Sequence, residues 1–357
     1  MTTPTPGLRK RSGILRGDTI NMSHGGGGKA MRDLIEDVFI TAFDNAHLDL
    51  MEDQARIDLS ALTARGDRLA MTTDSYVVDP IFFPGGDIGK LSVCGTINDL
   101  AVSGAVPLYL TCGVIIEEGL SVADLRTIVK SMKEAADRAG VKIVTGDTKV
   151  VDRGACDKIF INTAGVGVIP KHLQIDAGRA RPGDMVLING YIGDHGAAIL
   201  GARGDLSLEN NILSDCAPLN GLINDLLTAC PEVHCMRDAT RGGMASVLNE
   251  IAGSSNVSIK IKETAIPIRP EVRGMCEILG LDPLYLANEG KIIVVVPGDQ
   301  ADKALEALQR SSSLLGRESA VIGEVKDGPE GIVILQTTFG GERIVDMLVG
   351  DQLPRIC

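Results

Sequence analysis

Apolar and polar positions along the chain follow two periods, and the elements that they predict alternate between strand and helix. In the first half, short apolar runs predict strands at 69–74, 108–116, 141–144 and 158–169. Between these runs, apolar residues at three- and four-residue spacing predict helices at 88–101 and at 125–139, the second ending at Gly140. This part of the chain is therefore expected to form one α/β unit.

The alternation restarts after Pro182-Gly183, so the predicted fold class is α/β with two domains. The second half is predicted to contain strands at 185–188, 257–262, 291–296 and 331–336, and helices at 193–200, 217–229, 244–251 and 299–310. The predicted segments are a mobile leader at 1–20, a glycine-rich segment with its helix at 21–57, an N-terminal domain at 58–176, a C-terminal domain at 177–350 and a mobile tail at 351–357.

Composition narrows the class of protein. Apolar residues make up 44 % of the 357 residues but aromatic residues only 3 %, which predicts a core of Val, Ile, Leu and Ala. The 35 basic and 47 acidic residues give 35 − 47 = −12, which argues against nucleic acid or an anionic membrane as the main partner. Eight scattered cysteines without a CxxC pair are typical of the reducing cytoplasm. No run approaches the roughly 20 apolar residues of a membrane span, and no signal peptide is predicted.

A glycine-rich stretch precedes the first helix. Gly25, Gly26, Gly27 and Gly28 are followed by Lys29, and exposed N–H groups at the start of a helix attract phosphate. The stretch is not a Walker A loop, because Ser23 stands where that motif begins with glycine and Ala30 replaces its Ser or Thr. A flexible linker and a lid over a nucleotide are equally compatible with this pattern.

Three carboxylates follow or flank predicted elements. Asp74 and Asp147 lie at the predicted ends of two strands, and Asp99 lies on the flank of a helix. Each alone is explained by a turn or a helix cap. Together, beside Gly, Thr and Asn residues, they favour a site for magnesium and nucleotide phosphates. His195, in a turn that opens a later helix, is interpreted as a helix cap.

The chain ends on Cys357, so one residue carries both a thiol and a carboxylate. The seven residues 351–357 can span at most roughly 25 Å, which is enough to carry a thiol into and out of a pocket. A frayed end with an incidental cysteine is the alternative.

Several motifs together resemble the aminoimidazole ribonucleotide synthetase superfamily: Thr72-Thr73-Asp74, Ile97-Asn98-Asp99, Gly146-Asp147-Thr148 and Arg237-Asp238-Ala239-Thr240-Arg241-Gly242-Gly243. With residues 25–29, Gly193-Asp194-His195-Gly196, Asn288-Glu289-Gly290-Lys291 and the terminal Pro354-Arg355-Ile356-Cys357, the chain is similar, from about residue 20 onward, to the HypE family of hydrogenase-maturation carbamoyl dehydratases. The resemblance implies a PurM-like, two-domain fold in which two N-terminal sheets pair in a homodimer, with ATP near the interface.

The resemblance also implies an activity and partners. Cys357 would receive a carbamoyl group from the carbamoyltransferase HypF, and ATP would drive its dehydration to a thiocyanate. The cyanide would pass to iron on the HypC–HypD scaffold. A selenophosphate synthetase-like kinase is the alternative, but that class predicts a reactive cysteine near the glycine-rich stretch, and the nearest one downstream is Cys94. A scaffold that only presents a thiol would not need the acids or the lid.

The roles of single residues are carried over from the same resemblance. Mg²⁺ would be held by Asp74, Asp99, Asp147 and Asp238, with Asp53 as a further ligand. The nucleotide would contact the glycine stretch, Lys29, Asn98, Thr148 and Asp238. Glu289 would be the base that deprotonates the amide nitrogen, with Lys149 orienting it, and the alternative for this pair is an ion pair between domains.

Overall fold

The computed structural model describes residues 13–204, 211–348, 350, 353 and 355–357. The helices of the N-terminal half are α1 (Lys29–Leu34), α2 (Thr41–Phe43), α3 (Leu59–Thr63), α4 (Ile88–Val102) and α5 (Val122–Ala139), with a π-helix, Ile35–Ile40, between α1 and α2. Its strands are β1 (Arg68–Tyr76), β2 (Phe82–Phe83), β3 (Gly86–Asp87), β4 (Val106–Glu117), β5 (Lys142–Val151) and β6 (Ile159–Ile169).

The N-terminal half is built on a four-stranded sheet with the order β1-β6-β4-β5. Helix α5 forms as predicted, because the Ser121 hydroxyl accepts hydrogen bonds from the first-turn amides and Gly140 takes a left-handed φ of 71° at the other end. Its stripe of Leu125, Ile128 and Met132 is fully buried, and each such side chain contributes roughly 1.5–3 kcal/mol. Helix α4 packs against the sheet, against α5 and against the C-terminal half.

The opposite face of this sheet is open in the single chain. Met71 and Leu69 on β1 are 74 % and 54 % exposed, and Ile115 on β4 is 42 % exposed. The strand registers place these residues on the same face, since alternate residues of a strand share a face. The sheet therefore presents an apolar surface away from α4 and α5.

The C-terminal half forms one sheet between two layers of helices. Its strands are β7 (Met185–Ile188), β8 (Cys235–Asp238), β9 (Ser258–Lys262), β10 (Ile292–Val296), β11 (Ala320–Lys326), β12 (Ile332–Gln336) and β13 (Glu342–Val345), in the order β13-β12-β9-β11-β7-β10-β8. Its helices are α6 (Asp194–Arg203), α7 (Asn220–Ala229), α8 (Gly243–Ser255), α9 (Pro270–Leu279) and α10 (Ala301–Gln309). One apolar core lies between the sheet and α8, and another between the sheet and helices α7 and α10.

Two local expectations need correction. Neither Asp74 nor Asp147 ends its strand, because β1 runs on to Tyr76 and β5 runs on to Val151, paired with β4 along its length. Part of the predicted leader is attached to the fold: the Ile20 side chain is buried, and its backbone exchanges hydrogen bonds with Gly119 and Leu120. Residues 1–12 lie outside the described part of the chain.

No helix in the described part of the chain is both long enough and apolar enough to cross a membrane.

Candidate active site

A cavity of about 190 Å³ lies where the two halves of the chain meet, and we call it the acid cavity. Its walls carry Asp74 from β1, Asp99 from α4, Asp238 from the end of β8 and Glu289, together with Cys357. The structure thus brings five of the predicted site residues together from positions scattered over the whole chain.

The acids of this cavity repel one another and are shielded from water. Burial, followed by the contact with Asp74, raises the pKa of Asp99 to about 6, although the Thr72 hydroxyl, 2.8 Å from its Oδ2, opposes the shift. Burial, followed by the charge of Asp99, raises the pKa of Asp238 to about 7. Arg237 and Arg241 also line the cavity, but the charge of Arg237 offsets only part of these shifts, so the carboxylates keep the electrostatic character of a cation site.

Glu289 is the most deeply buried acid of the cavity, at 3 % exposure. Burial raises its pKa well above the usual value, and the charges of Asp215 and Asp238 add to the shift. Among the residues that the structure describes, its Oε1 has no hydrogen-bond partner. A carboxyl group with a raised pKa and a free oxygen at the cavity is suited to accept a proton from a bound group.

The backbone of Glu289 is fixed by a buried acid that the sequence analysis did not identify. The Asp215 carboxylate accepts hydrogen bonds from the amides of Glu289 and Gly290, at 3.0 and 3.1 Å, and from Lys291 Nζ at 2.9 Å. Burial alone would raise the pKa of Asp215, but Lys291 and these amides outweigh it and hold the pKa below its usual value. Asp215 therefore remains charged and holds the segment that carries the candidate base.

Asn98 also helps to fix the position of Glu289. Its amide donates to the carbonyl oxygens of Ala217 and Glu289, at 3.1 and 3.4 Å, and its Oδ1 accepts from the Leu219 amide at 2.8 Å. With 2 % exposure, the side chain has its polar groups engaged between the two domains. The prediction that Asn98 binds the nucleotide is not supported by this geometry.

The last residues of the chain lie against the N-terminal domain. The Val77 amide donates to an oxygen of the Cys357 carboxylate at 3.2 Å, and the Asp79 amide donates to the Arg355 carbonyl at 3.1 Å. Arg203 Nη2 donates to the same Arg355 carbonyl at 2.9 Å. Cys357 is half-buried at the acid cavity, so the described end of the tail presents the terminal residue to the acids.

His195 takes part in this arrangement, and its interpretation as a helix cap is wrong. The residue at the cap position of α6 is Gly193, with φ of 83°. His195 is completely buried, with Nε2 2.8 Å from the Ile356 carbonyl oxygen and Nδ1 2.8 Å from Ser214 Oγ. Burial lowers its pKa, so the ring is neutral at neutral pH.

A second and larger cavity, of about 380 Å³, lies beside the edge strand β5, and we call it the β5 cavity. One wall is apolar and comes from the N-terminal helices, with Met31, Ile35, Phe39 and Phe43. The other is polar and carries Asp53, Thr145, Gly146, Asp147 and Thr148. An apolar wall opposite a polar edge suits a ligand with a flat apolar part and a charged part.

Within one chain, the four aspartates predicted to bind magnesium do not share one site. Asp74 lies on β1 and Asp147 on β5, the two edges of the four-stranded sheet. Three strand spacings separate them by roughly 14 Å, whereas Mg²⁺ binds oxygen at about 2.1 Å. The described residues contain no group of three or more His, Cys, Asp or Glu side chains already arranged to hold a metal ion.

Lys149 is likewise separate from Glu289 in the single chain. It also lies on β5, and its Nζ is 2.6 Å from Asp147 Oδ2. The hydrogen bond from Lys149 is the main reason why the pKa of Asp147 is lowered. The ion pair that forms is therefore Lys149 with Asp147, and a pair between Lys149 and Glu289 does not form within one chain.

The glycine-rich stretch packs on β5 and is not among the residues that line either cavity. A Cβ atom at Gly25 would meet the Val150 amide nitrogen at 2.8 Å, so only glycine fits there. Gly27 has φ of 76°, and Gly26 and Gly28 continue the turn that starts α1. Lys29 is exposed, and its Nζ lies 2.5 Å from Asp33.

Comparison with known proteins assigns the class of protein that has this fold. The model of the AIR synthase related protein, N-terminal domain, matches residues 51–169, and the model of the C-terminal domain matches residues 181–336. The fold and the acid cavity between its domains therefore belong to an AIR synthase related protein.

Individual relatives narrow this class to one family. The carbamoyl dehydratase HypE of Rhodobacter capsulatus is 57 % identical over 343 residues, covering 96 % of this chain and 99 % of that protein. A crystal structure of HypE in complex with ATP superposes with a TM-score of 0.89 at 50 % identity, covering 94 % of this chain and 99 % of that one. A crystal structure of a HypE–HypF complex superposes with a TM-score of 0.76 at 51 % identity, covering 88 % of this chain and 99 % of that one. The chain belongs to the HypE family of carbamoyl dehydratases, so the predicted family and enzyme class are confirmed.

Proposed function

We propose that this protein uses ATP to dehydrate a carbamoyl group carried on the sulfur of its own Cys357. The observation that carries the proposal is the position of the terminal cysteine, which lines the same cavity as Glu289 and three aspartates. The product would be a thiocyanate on the same sulfur, and its cyanide would become a ligand of iron in a [NiFe]-hydrogenase.

The chemistry requires that oxygen leave and that nitrogen lose two protons. Hydroxide is a poor leaving group, so the carbonyl oxygen of S–C(=O)–NH₂ first takes the γ-phosphoryl group of ATP, which releases ADP. Loss of both N–H protons and departure of phosphate then convert the C–N bond to a triple bond and leave S–C≡N. The protein has to align the two reactants, neutralise charge and exclude water.

Glu289 is the residue that we assign to proton removal. Its raised pKa makes the ionised carboxylate a stronger base than an exposed glutamate. Its Oε1, which has no hydrogen-bond partner among the described residues, can accept the proton. Asp215 and Asn98 hold its backbone. A role for Lys149 in stabilising developing negative charge requires a second chain, because within one chain it pairs with Asp147.

The donor set of the acid cavity fits magnesium. Asp74, Asp99 and Asp238 supply only oxygen, the donor that Mg²⁺ prefers, and a divalent cation would relieve the repulsion that helps to raise the pKa of Asp99 and of Asp238. When bound, the ion would neutralise the phosphates of ATP. Asp147 and Asp53, at the β5 cavity, are the corresponding candidates at the other edge of the sheet.

We place the nucleotide in the β5 cavity and propose that the active unit is a homodimer. Its apolar wall suits the adenine base, and Thr148 and Asp147 on its polar wall lie where the phosphates would follow. The glycine stretch packs on the same strand, β5, outside the cavity lining. That cavity and Cys357 belong to opposite edges of the same sheet. Pairing of the open, apolar sheet faces of two chains would cover Met71, Leu69 and Ile115 and is the arrangement that the family resemblance implies.

The partners follow from the same proposal. A carbamoyltransferase of the HypF type would load Cys357, since HypF forms a complex with one solved HypE. A HypC–HypD scaffold would receive the cyanide on its iron. Eight scattered cysteines without a CxxC pair agree with a cytoplasmic location. The alternative, a kinase of the selenophosphate synthetase type, is not favoured by 57 % identity to a carbamoyl dehydratase.

Mass spectrometry of the carbamoylated protein provides the test. We expect ATP to remove one water mass from the peptide that carries Cys357, and we expect neither loading nor conversion in Cys357→Ala. Asp74→Asn should slow the conversion without blocking carbamoylation. If Asp74→Asn converts at the wild-type rate, the assignment of the metal is wrong, and if wild type hydrolyses ATP but keeps the carbamoyl mass, the assigned reaction is wrong.

A further inference from the structure

His195 is completely buried and donates a hydrogen bond to the backbone of the tail, 161 positions away in the sequence. A carbonyl oxygen can only accept, so the ring must carry its proton on Nε2, facing Ile356. Nδ1 is then an acceptor, and the Ser214 hydroxyl donates a hydrogen bond to it. Ser214 Oγ in turn accepts from the Cys216 amide at 3.1 Å, so each step of this relay has a defined direction.

We propose that His195 is a positioning residue that holds the inserted tail and thereby sets the place of the Cys357 thiol in the acid cavity. The inference rests on the proposed function, because it gives the reason why the thiol must be placed. It assigns a role to the Gly193-Asp194-His195-Gly196 motif, which neither the metal nor the nucleotide uses.

One short segment, Ser214-Asp215, makes hydrogen bonds to both His195 and the backbone of Glu289. Ser214 bonds to the imidazole, and the next residue, Asp215, holds the amide of Glu289. The start of α6 is tied to the other end of the Glu289 segment, since the Gly193 amide donates to Asn288 Oδ1 at 2.7 Å. The docking point of the tail and the candidate base are therefore fixed relative to each other.

The surroundings of the ring exclude water from this contact. The Phe83 ring meets His195 edge to face, with centroids 5.5 Å apart. The Ile356 side chain is 4 % exposed and packs into the N-terminal core. The charged group that faces the ring is Asp215, and burial keeps the ring neutral in spite of it. A hydrogen bond in such a place has no competition from solvent.

Two substitutions at position 195 separate the hydrogen bond from packing. In His195→Gln the amide nitrogen reaches the place of Nε2 and can still donate to Ile356, whereas in His195→Asn the shorter amide reaches only the place of Nδ1. We would measure the rate at which iodoacetamide alkylates Cys357 in the full-length, uncarbamoylated protein without ATP, by peptide mass. Loss of the bond should raise this rate about fivefold in His195→Asn, and His195→Gln should stay near wild type.

Thermal unfolding of each variant controls for loss of fold. Ser214→Ala removes only the hydroxyl that bonds to Nδ1 and is a second test of the same hydrogen-bonded arrangement. It should raise the alkylation rate less than His195→Asn does. Equal rates in wild type, His195→Asn and Ser214→Ala would overturn the proposal. Equal increases in the Asn and Gln variants would overturn it too, since the ring would then act by packing alone.

A turnover measurement keeps this proposal apart from the proposed function. With carbamoylated protein, which reacts once per chain, His195→Asn should lower the single-turnover rate constant for loss of water at saturating ATP. The ATP concentration that gives half of this rate should stay unchanged, because the proposed nucleotide site is elsewhere. If alkylation responds as expected but wild type never loses water, His195 still holds the tail and only the assigned reaction fails. An increase in the ATP concentration needed for half the maximal rate, with the maximal single-turnover rate constant unchanged, would contradict a positioning role.

Discussion

At the scale of single residues, Asp99, Asp238 and Glu289, which lie around Cys357, bind protons more tightly in the folded protein than in the unfolded chain. The pKa of Asp99 is about 6 and that of Asp238 about 7, both above the ordinary value of 3.8, and the pKa of Glu289 is raised as well. The unfolded chain releases these protons first as the pH rises. Without a cation, the free energy of unfolding therefore falls between about pH 4 and about pH 7.

Glu289→Gln should separate the loss of stability that ionisation of Glu289 causes from the proposed catalytic role of this residue. The amide keeps the shape of the side chain but cannot ionise, so we expect the variant to be more stable than wild type at about pH 8 and equal to it at about pH 4. Conversion of the carbamoyl group should fall about 10²–10⁴-fold. Urea unfolding in metal-free buffer and intact mass measure the two effects. A variant that is less stable than wild type at the higher pH would contradict the raised pKa.

At the scale of elements, the segment that carries Glu289 owes its shape to one ion pair, between Asp215 and Lys291. Asp215 and Lys291 are 5 % and 10 % exposed, and the Asp215 carboxylate also binds two backbone amides. Removing one member leaves a buried charge, so Asp215→Ala should lower the free energy of unfolding by about 3–5 kcal/mol. Asp215→Ala combined with Lys291→Met should recover part of the loss. Denaturant unfolding measures both, and additive losses in the double variant would contradict the coupling.

The glycine stretch offers a matched pair of substitutions. A Cβ at Gly25 would clash with the backbone of Val150 on β5, whereas a Cβ at Gly28 would meet nothing within 4 Å. Gly25→Ala should therefore destabilise the protein by about 1–3 kcal/mol, and Gly28→Ala should change it by less than about 1 kcal/mol. Thermal unfolding tests this. Equal losses would mean that conformational freedom, and not the contact with β5, explains the glycines.

Most helices and strands were predictable from the sequence, but which of them lie next to each other in the fold was not. Helix α5 follows from a local apolar stripe, a serine cap and a terminal glycine. Strand β11 was missed because Gly323 and Glu324 interrupt its apolar run. The distance between Asp74 and Asp147 depends on strand order, and the contact of His195 depends on a residue 161 positions away. The periodicity of apolar residues predicts neither the distance nor the contact. The motifs that contain His195 and Asn288 did indicate that these two regions are functional.

At the scale of the whole molecule, the open sheet face predicts the oligomeric state. Met71 is 74 % exposed on that face, and Ile278, on α9 of the other domain, is similarly exposed at 64 %. Met71→Asp would bury a charge in a paired sheet and should give monomers, whereas Ile278→Asp should remain a dimer. Sedimentation velocity distinguishes these outcomes. If both variants sediment like wild type, the sheet face is not the interface.

The separation of Asp74 and Asp147 on opposite edges of one sheet has a genetic consequence. If both acids serve one reaction, they must come from different copies of the chain, so an allele with Asp74→Asn and an allele with Asp147→Asn should complement each other. Random pairing of the two products would leave about a quarter of the sites intact. A cell carrying either allele alone would lack mature hydrogenase, while a cell carrying both would regain some of it.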